Sequence, residues 1–467
     1  MSLQENLKRL EPTRVLWRQP IAGSTSSGDL TEWLRSSHNF FREFDNHRVA
    51  LIADHDVDLA KLMVALDGRC EQILILPSTS DSSLIASMVA KARSDVVIAA
   101  GNPLPLQTIG VRVVSADEAI QTSIANGSQY DLPLRPSRWL LPTSGTTGTP
   151  KLIPHSFRSL TRSTKMDVRV GAKYAWGSLY NLRSFAGLQV FLQSWMAGSS
   201  YLFCDHHETW QQRIVQIGQL GCNALSATPT MWRMLLMSTD IRKLPLQQIT
   251  LGGEIADQSI LDSLRDLFPK AKMVHVYAST ETGVGFVVRD GRAGFPASFI
   301  DPSPGRVPIQ VDDDGHLLVG TGQEADRWID SGDLVERVGD RYLFRGRANG
   351  VINVGGRKVH PSHVENILQC YPGVEIARAY AHKNPFTGSL VAAEVVVQDG
   401  IQVDLQAKLI AHCRERLEPY QVPVKIDVVH SIPLSSSGKL RRDARQSKFP
   451  GPLRIANKQV TSQRPVS

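Results

Sequence analysis

No apolar run in these 467 residues approaches the roughly 18 residues that cross a bilayer, and the opening Met1-Ser-Leu-Gln-Glu-Asn-Leu-Lys8 has no apolar signal core. Both absences lead to the expectation of a cytoplasmic chain. Cysteine is scarce: Cys70, Cys204, Cys222, Cys370 and Cys413 are scattered, odd in number and include no Cys-x-x-Cys pair. Neither a disulfide framework nor a zinc knuckle is suggested, and the thiols are read as reduced and structural. Aromatic residues are missing among the basic residues Lys439, Arg441, Arg442, Arg445 and Lys448, so the stacking half of a single-strand platform is absent. The formal charge of +7 is therefore read as suiting phosphate-rich small molecules, not nucleic acid.

The length exceeds one compact core, so two or three domains are expected. Residues 1–46 hold short amphipathic pieces and no nameable chemistry. Alternation then begins: 49–54, 72–76 and 95–100 read as strands, 57–66 and 82–93 as helices, which implies a parallel sheet with right-handed crossovers. Residues 156–165 read as a helix, and 180–198 carry an apolar pattern. A second series follows, with strands at 201–203, 223–225, 248–251 and 272–277 and helices at 208–219, 229–237 and 257–268. From about 300 short strands with turn signals suggest a small β subdomain, with a hairpin at Asp312-Asp-Asp-Gly315. A compact α+β unit begins near 350, with helices at 362–370 and 403–417 and strands at 375–381, 390–397 and 425–429. The fold class is thus α/β: two doubly wound sheets plus a small β subdomain, then a small α+β domain, then a disordered tail at 447–467.

Thr143-Ser-Gly-Thr-Thr-Gly-Thr-Pro-Lys151 follows the apolar strand Trp139-Leu-Leu and reads as a polyphosphate loop. Gly145 and Gly148 let backbone N–H groups approach a ligand; Thr143, Ser144, Thr146 and Thr147 add hydroxyls, and Lys151 adds a point charge. It is not a P-loop, because Lys151 follows proline and Leu152 stands where a magnesium-binding hydroxyl is needed. A plain Ser/Thr/Gly surface loop is the alternative. Leu251-Gly-Gly-Glu254 and Tyr277-Ala-Ser-Thr-Glu-Thr-Gly283 both end strands, where doubly wound sheets hold ligands. Asp330-Ser-Gly-Asp333, Phe344-Arg-Gly-Arg347, Val351-Ile-Asn-Val-Gly-Gly-Arg-Lys-Val359 and Pro433-Leu-Ser-Ser-Ser-Gly-Lys-Leu-Arg441 follow in order. Taken singly these are a strand-to-loop junction, a Gly-Gly turn, an Asp-Gly turn, a Gly-Gly hairpin and a solvent-facing lysine.

Taken together, over roughly residues 135 to 445, they resemble the superfamily of AMP-forming adenylating enzymes: acyl-CoA synthetases, aryl and fatty acid ligases, peptide-synthetase adenylation domains and luciferase. The resemblance implies that Gly252, Gly253 and Glu254 lie beside adenine with Tyr277, that Thr280 bonds the α-phosphate and that Glu281 holds Mg2+. It puts both ribose hydroxyls on Asp333, with Arg347 beside them, and it brings Lys439 to the adenylation site. It divides the chain into an adenylation core at 1–346, a hinge at 347–350 centred on Asn349 and a mobile lid at 351–446. Gly355 and Gly356 belong to a stretch that shapes the thiol channel.

Departures from the pattern are Ala278 for the usual glycine at the acid pocket, Asn349 and Asn353. The acid wall in the family is drawn partly from Tyr180–Gly187. No acidic residue occurs between 168 and 204, which disfavours an α-amino acid, and Ser184 itself is not the aromatic or histidine that the resemblance leads one to expect there. Asn181 either reads a substrate group or caps a helix. The expectation is an enzyme that turns an aryl or short to medium acyl acid and ATP into acyl-AMP, then loads a thiol of coenzyme A or of a carrier protein's phosphopantetheine. Rival readings are a luciferase-type oxygenase and a non-catalytic nucleotide-binding interaction protein. The oligomeric state is left open. Cys204-Asp-His-His-Glu208 carries metal-ligand residue types, but adjacent histidines point apart.

Overall fold

The structure, a computed structural model, describes residues 2–440 except 22, 78, 80, 102–109, 122–134, 144–149, 205–209, 302, 304, 305, 322–326, 385–387, 398–403 and 435–438. The expected tail at 447–467 lies outside the described residues. The first sheet has the order Arg112–Ser115, Val96–Ala100, Arg48–Ala53, Gln72–Ile75, Arg138–Thr143, Lys151–Ser156. Its first five strands are parallel and the sixth is antiparallel. Strand Arg48–Ala53 shows why this region reads so clearly: Val49, Leu51 and Ala53 join one buried cluster, and Ala50 and Ile52 join another on the opposite face. A strand buried on both sides must be apolar throughout, and its crossover helices Asp56–Leu66 and Ser82–Ala92 supply the period change.

The second sheet runs Gly283–Val288, Lys272–Ser279, Gln248–Gly252, Ala224–Ala227, Ala175–Ser178, Ser200–Leu202, Val15–Gln19, Gly23–Ser26. Three features of the two-sheet core add to or correct the sequence reading. Residues 1–46, read only as short amphipathic pieces, also supply a strand: Val15–Gln19 lies parallel to Ser200–Leu202 and buries Trp17 against Phe203 and Trp195, with ring centroids 5.6 and 5.8 Å away. The pairing partner is some 180 residues distant, so no local pattern announces it. Residues 151–156 are a strand, and the helix expected over 156–165 is only Phe157–Thr161, entered through a reciprocal Ser156–Ser159 cap. Residues 283–288, glycine-rich and unassigned above, return antiparallel along Lys272–Ser279.

Helix Phe185–Met196 is packed between the two sheets. Leu188, Phe191, Leu192 and Trp195 are buried in the cluster that also holds Trp139 from the first sheet, Phe157 from the short helix after it and Tyr201 from the second sheet. Each such side chain contributes about 1.5–3 kcal/mol on burial, so this helix is the main bond between the halves of the core.

A five-stranded antiparallel sheet follows, Phe295–Pro296, Arg341–Arg347, Arg327–Val338, His316–Thr321, Ile309–Val311, with the expected hairpin at 312–315. Residues 348–350 form a short 3₁₀ turn. Beyond it, strands Val374–Asn384, Gly388–Val397 and Lys425–Val428 with helices Pro361–Gln369 and Leu405–Arg414 enclose a separate apolar cluster. This C-terminal unit touches the core where Met234, on helix Pro229–Leu236, packs against Ile376, Val396 and Ile432.

Candidate active site

The neck of the stretch read as a polyphosphate loop is a strand pair. Thr143 faces Lys151 in register, Thr143 Oγ1 donates to the Lys151 carbonyl at 3.5 Å, and Lys91 Nζ donates to the Pro150 carbonyl at 3.3 Å. Ser144, Gly145, Thr146, Thr147 and Gly148 lie outside the described residues. Lys151 is exposed at the mouth.

Strands Gln248–Gly252 and Lys272–Ser279 are neighbours, with Gly252 opposite Val276, so the two strand-end stretches lie side by side. Gly253 has φ +81°, a left-handed conformation that excludes a Cβ without strain. Tyr180, fully buried, donates its hydroxyl to the Gly252 carbonyl at 3.0 Å and steadies this turn from below. Tyr277 is near-parallel to Phe286 and Phe344, with centroids 4.8 and 5.4 Å away, and its hydroxyl donates to Asp333 Oδ2 at 2.6 Å. Asp333 sits in strand Arg327–Val338, not in an open turn, because Gly332 at φ +73° lets the strand bend there. Arg347 donates to the Ser331 carbonyl at 3.0 Å and stands 3.8 Å from Asp333 Oδ1. Burial pushes the Asp333 carboxyl above its usual range, opposed by the Tyr277 hydrogen bond, Arg347 and Lys439.

Lys439 reaches this group from the C-terminal unit. A Cβ on Gly253 would lie 3.3 Å from its Cε, and the next residue, Leu440, donates its N–H to Glu254 Oε1 at 3.1 Å. Burial lowers the Lys439 pKa; Glu254, Asp333 and Glu281 pull it back up, and Arg347 adds to the lowering. Ser279 Oγ accepts the Thr282 N–H at 3.1 Å and closes the turn that carries Thr280 and the exposed Glu281. The structure therefore gathers Gly253, Glu254, Tyr277, Glu281, Asp333, Arg347 and Lys439 from five separate stretches. Lys439 there lies within the electrostatic influence of the three carboxylates Glu254, Asp333 and Glu281.

A family model described as AMP-binding enzyme matches residues 46–333, and one described as AMP-binding enzyme C-terminal domain matches 363–439. The chain belongs to the AMP-binding enzyme family. Among relatives, a 2-succinylbenzoate–CoA ligase of Listeria monocytogenes is 23% identical over 420 residues, covering 85% of this chain and 87% of that one. Among solved structures, the anthranilate CoA ligase AuaEII in complex with anthranoyl-AMP superposes with a TM-score of 0.76 at 16% identity, over 94% of this chain and 95% of that one. The amide bond synthetase McbA of Marinactinospora thermotolerans gives 0.75 at 19%, over 94% and 97%. These bear out the superfamily resemblance and the α/β fold read from the sequence.

In this AMP-binding enzyme the acid-wall residues have structural work of their own. Ser184, not Asn181, caps helix Phe185–Met196: its Oγ accepts the Gly187 N–H at 3.1 Å and donates to the Asn181 carbonyl at 2.7 Å. Asn181 Oδ1 accepts the Arg183 N–H at 2.9 Å. Ala278, half-buried, pairs with Val284 beside a bulge in the hairpin. Gly355 and Gly356 form the exposed tip of hairpin Ile352–Val354/Arg357–Val359, both with positive φ, and Asn353 Oδ1 accepts the Gly356 N–H at 2.9 Å. That hairpin packs on strand Gly388–Val397, outside the group around Lys439.

Two neighbouring side chains escaped the sequence reading. Arg183 pairs with Asp56 at the start of helix Asp56–Leu66 and donates to the Ala53 carbonyl of the first sheet at 2.5 Å. His155 stacks at 5.6 Å on Phe185, and burial lowers its pKa against the influence of the Thr280 backbone and Glu281. Neither was singled out in a motif; only the strand at 151–156, most of which the sequence reading left unassigned between loop and helix, would have aimed His155 inward. Among the described residues no three His, Cys, Asp or Glu side chains are grouped to hold a metal ion, and no helix is long and apolar enough to cross a membrane. Residues 205–208 of the Cys204–Glu208 stretch lie outside the described set.

Proposed function

We propose that this AMP-binding enzyme activates an aryl or short to medium acyl acid with ATP and passes the acyl group to a pantetheine thiol, of coenzyme A or a carrier protein. The observation that carries this reading is the placement of Lys439, whose stem lies against Gly253 within the field of Glu254, Asp333 and Glu281. In the first step a carboxylate oxygen bonds to the α-phosphorus of ATP, and the bond from that phosphorus to the pyrophosphate oxygen breaks. Lys439 neutralises negative charge that develops around the α-phosphate, a preorganised cation aimed at the transition state. Thr280 bonds the α-phosphate, and the loop necked by Thr143 and Lys151 takes the β- and γ-phosphates. Asp333 receives the ribose hydroxyls on the oxygen nearer Arg347, since Tyr277 already donates to the other. Gly252 and Gly253 present bare backbone to the adenine edge.

A nucleotide-borne Mg2+ needs only one or two protein carboxylates, and the exposed Glu281 fits that demand. Bound there, it would offset phosphate charge. In the second step the thiol sulfur bonds to the acyl carbon, the acyl–phosphate oxygen bond breaks, AMP departs and the thiol proton leaves to solvent. Gly355 and Gly356 would meet the pantetheine arm after a turn about Asn349. The aryl class is supported by the 2-succinylbenzoate and anthranilate ligases among the relatives, and by the lack of an acidic residue in the acid wall. A cytoplasmic setting suits coenzyme A as acceptor.

The test is product analysis with Mg–ATP, a panel of aryl, fatty and amino acids, and coenzyme A or a holo-carrier protein. AMP, pyrophosphate and an acyl thioester in equal amounts, with aryl acids preferred, are expected. ADP and orthophosphate, or no turnover with any acid despite tight ATP binding, would overturn the reading; oxygen consumption without thioester would favour the oxygenase.

A further inference from the structure

Glu254 ends the turn at the Gln248–Gly252 strand, and both of its carboxylate oxygens are engaged. Oε2 accepts the Thr230 N–H at 3.0 Å, and Oε1 accepts the Leu440 N–H at 3.1 Å. Thr230 lies in the first turn of helix Pro229–Leu236, where Pro229 has no N–H and Thr228 Oγ1 accepts the Met231 N–H at 3.0 Å. Glu254 thus completes the capping of that helix and places negative charge at its positive end. Its other oxygen leaves the core and holds the backbone one residue beyond Lys439. The Lys439 stem crosses Gly253 at a distance that leaves no room for a relaxed Cβ. Leu440 packs against the cluster of Ile376, Val396 and Ile432 that Met234 of the same helix also touches. Charge, backbone and stem at residues 439–440 are all met by one dipeptide and the helix behind it.

We infer that Glu254 is a latch, anchored on helix Pro229–Leu236, that grips the Leu440 N–H and thereby positions Lys439 for adenylation. It is a positioning residue that acts through Lys439, and the inference rests on Lys439 serving the first step. The bond also explains why the carboxylate is a glutamate. An amide has one acceptor oxygen and must release either Thr230 or Leu440, and a shorter aspartate cannot span both.

The test measures acid-dependent ATP–pyrophosphate exchange in Glu254→Gln, Glu254→Asp, Lys439→Ala and the Glu254→Gln/Lys439→Ala double variant, with thermal melting to verify folding. Glu254→Gln is expected to lower kcat by about 10- to 100-fold, the effect of a misplaced catalytic group, with the KM for ATP little changed. In the Lys439→Ala background the same substitution should cost nothing further. Because Glu254 raises the Lys439 pKa beside Asp333 and Glu281, and Arg347 lowers it, the alkaline limb of the pH–rate profile should move to lower pH in Glu254→Gln. Glu254→Asp keeps the charge, so its limb should stay near wild type while kcat remains low. Unchanged kcat in Glu254→Gln, or an equal loss with Lys439 absent, overturns the latch while leaving the ligase reading intact. Full exchange in Lys439→Ala removes the role of the lysine itself, and the latch with it.

Discussion

Asp67 makes no contact with the site, yet it should control how the fold responds to pH. It is fully buried, accepting the Leu3 N–H at 2.7 Å and Trp139 Nε1–H at 3.1 Å, and burial outweighs those bonds, moving its pKa from the usual 3.8 to about 7. A folded-state pKa above the unfolded value means stability that is whole below 3.8 and lost as pH rises through 7. Each pH unit between those two values removes about 1.4 kcal/mol, and the loss levels off above 7. Urea unfolding at pH 6 and pH 8 should therefore show a fall that is absent in Asp67→Ala, even though that variant is less stable at both values; an equal fall in the variant would assign the pH dependence elsewhere. At this scale the sequence identified residue types well and their partners poorly. Tyr277, Asp333, Arg347 and Lys439 carry their chemistry in motifs. Glu254 also stands in a motif, but its side chain turns to Thr230 and Leu440, and no spacing rule links residue 254 to residue 440.

Helix Phe185–Met196 illustrates the element scale, because its start lies on the acid wall and its body bonds the two sheets. Ser184→Ala removes the cap and should lower unfolding stability by about 1 kcal/mol. Since Ser184 Oγ is already engaged by the Gly187 N–H and the Asn181 carbonyl, the KM for the acid should stay as in wild type. A raised KM with unchanged stability would instead make Ser184 a substrate contact. Elements with strong period were legible: 49–100, 248–277 and the C-terminal strands and helices were read within a few residues of their bounds. The strand at 151–156 was missed because it is short, holds Pro154 and is made a strand by its pairing with Arg138–Thr143. Val15–Gln19 was missed because only its distant partner Ser200–Leu202 makes it a strand. Pairing across the chain overrides local propensity in both cases.

For the whole molecule, the site exists only where two separately packed bodies meet. The sheets bring Gly253, Tyr277, Asp333 and Arg347 together, and the C-terminal unit, with its own apolar core, adds Lys439. The order of motifs along the chain told which pieces belong to one site, while the docking on Met234 could not be read from it, since that face is three side chains without a pattern. The central claim is that Lys439, delivered by the C-terminal unit, drives adenylation in the core. Pyrophosphate exchange in Lys439→Ala against wild type, with the preferred acid, tests it most directly. The account predicts an acid-dependent exchange that falls on the order of 100- to 1,000-fold in the variant while ATP still binds, the loss expected when one preorganised electrostatic partner is removed. Exchange at the wild-type rate in Lys439→Ala, or exchange that proceeds without acid, would contradict it.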